Sequence, residues 1–179
     1  MQLTLQKSII RVAPIANERR EETKKKSKPM RVVSLFSGSG GMDLGFRQEG
    51  FELAWANDTN HWACETFKKN FGGHIVEGSI VDVPNNAIPS CDIVLGGFPC
   101  QDFSMLWKRM GLKTDRGNLY RQFVRVVLDK KPKLFVAENV KGLMSANGGK
   151  AVEQIKKDFE KAGYSVSVNQ INFANYGAP

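Results

Sequence analysis

Cys100 is the residue of this chain whose type and position best suit nucleophilic chemistry. It stands just after a short apolar run, residues 93–95, and at the start of a polar, basic loop. A thiolate adds readily to an electron-poor carbon, and basic neighbours such as Lys108, Arg109 and Arg116 would favour the thiolate form. Free cysteine is also among the most buried residue types, so the alternative is a structural thiol.

A carboxyl group forms the second candidate. Glu138 and Asn139 come directly after another apolar run, residues 134–137. A carboxyl at the edge of an apolar site can serve as a proton donor. For an isolated Glu-Asn pair, a helix or turn cap is the competing interpretation.

A glycine-rich turn, residues 36–41, is the third candidate. Glycines let the backbone approach a ligand closely, and the helix that follows presents free N–H groups to it. Asp58 comes 20 residues after Gly38, and a carboxylate at that distance can accept both hydroxyls of a ribose. The motif departs from the dinucleotide fingerprint, since Asp43 stands where that pattern has glycine. A purely structural turn explains it equally well.

The elements that must position these residues follow from apolar patterns along the chain. Strands are predicted at residues 31–36, 51–56, 74–77, 92–96, 134–137 and 164–171. Amphipathic helices are predicted at residues 42–49, 60–70, 119–127 and 152–162. Strands that alternate with helices predict an α/β fold, with a mostly parallel sheet and helices on both faces. Ligands bind at the carboxyl ends of such strands, which is where all three candidates fall.

Composition narrows the class of protein. The 179 residues suffice for one domain, and 41% hydrophobic with 25% charged residues is ordinary for a soluble globular chain. No apolar run is long enough to span a membrane. Three irregularly spaced cysteines and two histidines predict neither a disulfide framework nor a metal site, and they suit a reducing compartment. The net charge of +8 permits a polyanionic partner without proving one.

Residues 1–29 differ in character from the rest. They are polar, rich in Lys and Arg, and without a sustained apolar period, and Pro29 closes them. We expect a basic, flexible extension there, which serves as a tether or as a weak phosphate-binding arm.

Four motifs, in this order, resemble the N-terminal catalytic part of DNA (cytosine-5) methyltransferases of bacterial restriction–modification systems. They are Phe36-x-Gly38-x-Gly40-Gly41, Phe98-Pro99-Cys100-Gln101-x-Phe103-Ser104, Arg116-Gly117-x-Leu119 and Glu138-Asn139-Val140. The resemblance implies a Rossmann-like S-adenosylmethionine-dependent methyltransferase fold, incomplete at its C-terminus. Residues 30–179 would form this partial catalytic domain, after the extension 1–29.

The resemblance also implies a mechanism. Cys100 would add to C6 of cytosine while Glu138 protonates or hydrogen-bonds N3, so that C5 takes the methyl group. The base would be flipped out of double-stranded DNA, and the loop 101–118 would close over it. Contacts with the DNA or the target base are expected from Gln101, Ser104, Arg109, Lys113, Arg116 and Asn139.

By the same resemblance, a second set of residues should bind S-adenosylmethionine. They are Phe36, Gly38, Ser39, Gly40, Gly41, Asp58, Thr59, Ser79, Ile80, Pro99 and Leu119. Two of them depart from the family's usual pattern. Thr59 stands where a bulky apolar residue often packs on adenine, and Ser79 stands where Asp commonly accepts from the adenine amino group.

The last residues, 175–179, resemble the family segment that continues into a Gln-x-Arg-x-Arg stretch and then into the target-recognition region. We therefore expect a second chain or a missing C-terminal segment to complete the enzyme, and we expect the chain alone to be nearly inactive. The strand that ends at Ile171 would expose an unpaired edge. The family expectation for location is the bacterial cytoplasm, in association with the nucleoid.

The sequence is compatible with three other functions. One is a tRNA cytosine-5 methyltransferase of similar fold. Another is a catalytically silent cofactor-binding subunit, against which the presence of Cys100 and Glu138 argues. The last is a nicotinamide-dependent oxidoreductase, which leaves Pro99 and Cys100 unexplained.

Overall fold

The structure is a computed structural model that describes residues 6–14, 28–99 and 119–177. Its strands are β1 (Gln6–Pro14), β2 (Arg31–Leu35), β3 (Glu52–Asp58), β4 (Ile75–Glu77), β5 (Ile93–Gly96), β6 (Leu134–Val140) and β7 (Tyr164–Asn172). Its α-helices are α1 (Gly41–Gln48), α2 (His61–Phe71), α3 (Leu119–Lys130), α4 (Gly142–Ser145) and α5 (Lys150–Lys161). Short 3₁₀ turns lie at Asn85–Ala87, Ala146–Gly149 and Phe173–Tyr176.

The strands form one sheet in the order β4-β3-β2-β5-β6-β1-β7. The neighbours from β4 to β6 pair in parallel, whereas β1 runs antiparallel to both β6 and β7. The mostly parallel α/β fold predicted from the sequence is thus confirmed, and each predicted strand and helix is present within a few residues of its expected bounds. The short helix α4 is an addition that the apolar pattern does not signal.

Continuous apolar runs in β2 and β5 explain why the sheet is covered on both faces. Every residue of β5 is buried, as are four of the five residues of β2. One face packs against α3 and α5 through a set of aromatic rings, in which the centroids of Phe135 and Phe159 lie 4.1 Å apart. The other face packs against α1 and α2, where the ring centroids of Phe67 and Phe71 lie 4.6 Å apart. In such a sheet the carboxyl ends of the parallel strands lie side by side, at the same end of the strands.

The structure differs from the expected flexible extension at Gln6–Pro14. This segment is the interior strand β1, whose pairing with β6 runs from Lys7 opposite Val140 to Val12 opposite Phe135. It also pairs along the whole of β7, which forms an edge of the sheet. The apolar pattern missed it because the strand is formed by pairing with partners far along the chain, and local sequence reports such pairing poorly.

Among the described residues, no helix combines the length and the apolar character needed to cross a bilayer.

Candidate functional site

The glycine-rich turn joins β2 to α1, and its backbone is left-handed at three positions. Phe36, Gly38 and Gly40 all have positive φ angles, of 53°, 56° and 89°. A Cβ atom at Gly40 would also lie 2.3 Å from the ring of Phe71. Glycine is therefore required at position 40 for both conformation and packing. The exposed Ser39 and Gly41 complete the turn, and the first N–H groups of α1 have no partner within the helix.

Asp58 links this turn to the tip of the neighbouring strand β3. Its Oδ2 accepts a hydrogen bond from the Gly38 amide at 2.8 Å, and its Oδ1 accepts one from Asn60 at 2.8 Å. The carboxylate is half-buried, so it remains accessible to a ligand. Two residues that are 20 positions apart in sequence are thus joined by a hydrogen bond, and the expected contact of Asp58 with a ribose stays a prediction. Thr59, the next residue, is exposed and lies directly after the carboxyl end of β3.

The segment after β4 lies beside Asp58. Gly78 donates its amide to the Asp58 carbonyl at 2.9 Å. Ser79 is half-buried, and its hydroxyl accepts from the Val81 amide at 3.2 Å, so this side chain caps its own turn. Ile80 is only 1% exposed and belongs to the main core cluster. The structure therefore brings Ser79 and Ile80, which follow β4, to the same end of the strands as Asp58, at the end of β3.

Sequence analysis missed Asn57, which holds this arrangement together. Its side chain is 1% exposed, and its Nδ2 donates to the carbonyls of Val76 and Gly78, at 2.9 Å each. A polar residue at the buried end of an apolar strand is the signal that could have revealed it, because buried amides need partners.

A second polar group was missed at the start of α1. Asp43 is 1% exposed, and burial raises the pKa of its carboxyl to about 6, a shift that the Ser34 side chain opposes only in part. Within the described part of the chain, no donor meets hydrogen-bond geometry at either carboxylate oxygen.

The strand β5 leads into the cysteine loop through Gly96 and Gly97. A Cβ at Gly96 would lie 2.7 Å from the ring of Phe123. A Cβ at Gly97 would lie 2.9 Å from Oε2 of Glu138. The absence of side chains at these positions therefore lets the half-buried Glu138 carboxyl lie against the backbone that precedes Pro99.

Asn139 fixes the same contact from the other side. Its side chain is 4% exposed, its Nδ2 donates to the Phe98 carbonyl at 2.7 Å, and its Oδ1 accepts from the Val140 amide at 2.9 Å. The expected role of Asn139 in binding DNA stays a prediction. The contact that the structure shows is with the backbone next to Pro99.

Several predicted residues cannot be placed in this site. Cys100, Gln101, Ser104, Arg109, Lys113 and Arg116 lie outside the described residues. The two residues that flank this range are placed: Pro99 is exposed, and Leu119 begins α3 and packs against the main core cluster. Phe36 is half-buried against the same cluster. Among the described residues, no group of His, Cys, Asp and Glu is arranged to hold a metal ion.

Known proteins match this chain over most of its length. The profile of the family described as C-5 cytosine-specific DNA methylase matches residues 30–179. The type II methyltransferase M.NgoFVII of Neisseria gonorrhoeae is 62% identical over 151 residues, which cover 83% of this chain and 40% of the relative. The chain therefore spans about two fifths of that protein. The type II methyltransferase M.AquIA of Picosynechococcus is 39% identical over 83% of this chain and 67% of its own length.

The fold has solved counterparts. A Dnmt2 methyltransferase from S. pombe superposes with a TM-score of 0.60 and 23% identity, over 74% of this chain and 42% of that structure. At this identity the likeness concerns the fold, which is the Rossmann-like fold of S-adenosylmethionine-dependent methyltransferases.

Proposed function

Because this chain belongs to the C-5 cytosine-specific DNA methylase family, we propose that it carries the cofactor-binding and catalytic residues of a DNA cytosine-5 methyltransferase. The reaction would move a methyl group from S-adenosylmethionine to C5 of cytosine in double-stranded DNA. The observation that supports this most is the close approach of Glu138 to Gly97, together with the Asn139–Phe98 hydrogen bond. Both contacts hold a carboxyl beside the backbone that leads into Cys100.

Cys100 and Glu138 would divide the activation of the base between them. The Cys100 thiolate adds to C6, forming an S–C6 bond, while Glu138 supplies a proton or a hydrogen bond at N3. The electron pair displaced from the C5–C6 double bond makes C5 nucleophilic. After methylation, a base removes the C5 proton, and the S–C6 bond breaks to release the enzyme. The target base must leave the DNA stack for this chemistry.

The described residues fit S-adenosylmethionine. Asp58 is a half-buried carboxylate suited to the ribose hydroxyls, and it is already joined to the Gly38 turn. Ser79 and Ile80 would line the adenine side, with Phe36, Pro99 and Leu119 as apolar contacts. When bound, the cofactor supplies an electrophilic methyl group. The chain's part is to hold and orient it.

We propose that reading of the DNA sequence requires residues outside this chain, from a second subunit or from a longer parent protein. The length of M.NgoFVII supports this, since the matched part is 40% of that relative. The basic loop residues Arg109, Lys113 and Arg116 would contact phosphates, and Gln101 and Ser104 would lie near the flipped base. The site of action would be the bacterial cytoplasm, at the nucleoid.

A methyl-transfer assay tests this function. The chain is incubated with labelled S-adenosylmethionine and long duplex DNA of mixed sequence, alone and with an extract of its native cells. We expect label in DNA only with the extract, and loss of that added label with Cys100→Ser. Label in competitor tRNA in preference to duplex DNA would favour the tRNA enzyme. Equal labelling with wild type and Cys100→Ser would favour a catalytically silent subunit.

A further inference from the structure

Arg125, on α3, binds three acceptors of one irregular segment, residues 80–85. Its Nη1 donates to the Val83 carbonyl at 3.1 Å and to Oδ1 of Asn85 at 2.5 Å, and its Nη2 donates to the Ile80 carbonyl at 2.9 Å. Most of this segment lies in no strand or helix, and its own turn supplies some of its hydrogen bonds, such as the Val83 amide to the Ile80 carbonyl at 3.3 Å. Arg125 adds donors from a helix that is packed into the core.

The segment bound by Arg125 begins at the adenine side of the proposed cofactor site. Its first residue, Ile80, follows Ser79, and the preceding stretch is held by Asn57 through the carbonyls of Val76 and Gly78. The turn at Ser79 is therefore fixed at both ends, by Asn57 before it and by Arg125 after it. Loss of either contact would leave that end of the turn to fewer bonds: the Gly78 amide to the Asp58 carbonyl before Ser79, and the Val83 amide to the Ile80 carbonyl after it.

The geometry of the contact depends on a guanidinium. Two terminal nitrogens of a planar group reach acceptors that are three to five residues apart, whereas a lysine ammonium is a single point of donation. An arginine beside apolar core residues is costly unless its charge is surrounded by oxygen acceptors. Here the acceptors are backbone and amide oxygens, so the side chain serves to fix the shape of the segment.

We propose that Arg125 is a positioning residue for cofactor binding: it fixes the turn that carries Ser79 and Ile80. The proposal depends on the proposed function, because it takes these two residues to face the adenine of S-adenosylmethionine. Arg125 acts through this turn and would not touch the cofactor.

Calorimetric titration of the full chain with S-adenosylmethionine and with S-adenosylhomocysteine tests the proposal. Arg125→Lys should raise the Kd of both ligands about tenfold, which is the loss expected when one or two charged hydrogen bonds no longer hold the site. Arg121→Lys, the same substitution one turn earlier at an exposed position, is the control and should leave both Kd values within about twofold. An unchanged Kd for Arg125→Lys would overturn the proposal.

Two further measurements separate positioning from general stability. Asn85→Ala removes one acceptor and leaves Arg125 in place, so it should raise Kd in the same direction by about threefold. In the methyl-transfer assay with the extract of native cells added, here called the complemented enzyme, Arg125→Lys should raise KM for S-adenosylmethionine and leave kcat within about twofold. A lower melting temperature with unchanged Kd and KM would show a merely structural role. A wild-type chain that binds neither ligand would instead contradict the proposed function.

Discussion

Asn139 donates a hydrogen bond from Nδ2 to the main-chain oxygen of Phe98 at 2.7 Å, across 41 residues of sequence. This bond ties the end of β6, where Glu138 lies, to the backbone that enters the cysteine loop. Both groups are buried, so the bond cannot be replaced by water at low cost. It holds the end of β6 against the backbone of Phe98, two residues before the proposed nucleophile in the sequence.

Asn139→Asp should break the link between the end of β6 and the backbone of Phe98. A carboxylate of the same shape cannot donate to the Phe98 carbonyl and places two oxygens against each other. We expect the free energy of unfolding to fall by about 1–3 kcal/mol, and methyl transfer by the complemented enzyme to fall further than cofactor binding does. Chemical denaturation and parallel rate assays measure both. Asn169→Asp, at an exposed position on β7, is the matched control, and an equal effect there would contradict the assignment.

Gly97→Ala should displace Glu138. The added Cβ would lie 2.9 Å from Oε2 of Glu138, so the carboxyl must move from its place beside the cysteine loop. We expect methyl transfer to fall about a hundredfold, since small misplacements of a catalytic group cost that much, with little change in Kd for S-adenosylmethionine. Gly73→Ala is the control because nothing lies within 4 Å of a Cβ at Gly73. Retention of full activity by Gly97→Ala would count against a catalytic position for Glu138.

Asp43 should make stability fall as pH rises. Its pKa of about 6 in the folded chain lies above the ordinary value of 3.8, because burial disfavours the charged form. The stabilising contribution is fully present below about pH 4, and it is lost as pH rises through 6, by about 3 kcal/mol in all. Asp43→Asn should therefore flatten this part of the pH profile and raise stability at pH 8. Urea denaturation between pH 4 and pH 8 measures it, and a parallel profile for the variant would exclude Asp43 as the cause.

The strand β1 should hold β7 in the sheet. β7 pairs with no other strand in the described part of the chain, so a break in β1 should release it. Ile9→Pro removes a backbone donor inside an interior strand. We expect faster amide hydrogen exchange in β6 and β7 and unchanged exchange in β2 and β3. Ile9→Val keeps the N–H group and is the control. Protection of β7 that survives Ile9→Pro would show that other contacts hold it.

The motifs could be predicted from sequence because each is local. The turn at Gly38, Glu138 after its apolar strand, and the spacing to Asp58 all follow from patterns within a few residues or within one strand–helix–strand unit. The structure joins Asp58 to the Gly38 turn, and the roles of these residues in binding and catalysis stay predictions.

What sequence could not predict are contacts between distant segments. Three such contacts depend on how elements far apart in the chain are placed against each other. They are the approach of Glu138 to Gly97, the hydrogen bonds from Arg125 to residues 80–85, and the pairing of β1 with β6. Apolar periodicity reports which face of an element is buried, and it carries no information on which atoms then meet across the core. Arg125, a charge between Val124 and Val126, is the one such residue whose neighbours hint at burial.

Covalent trapping on duplex DNA that contains 5-fluorocytosine tests the central claim most directly. Fluorine at C5 cannot be removed as a proton, so a cysteine that has added to C6 stays attached after methyl transfer. With S-adenosylmethionine and the extract of native cells, we predict a denaturation-resistant adduct that mass spectrometry maps to Cys100 and that Cys100→Ser abolishes. An adduct that persists in Cys100→Ser and maps to another residue of this chain would contradict the account.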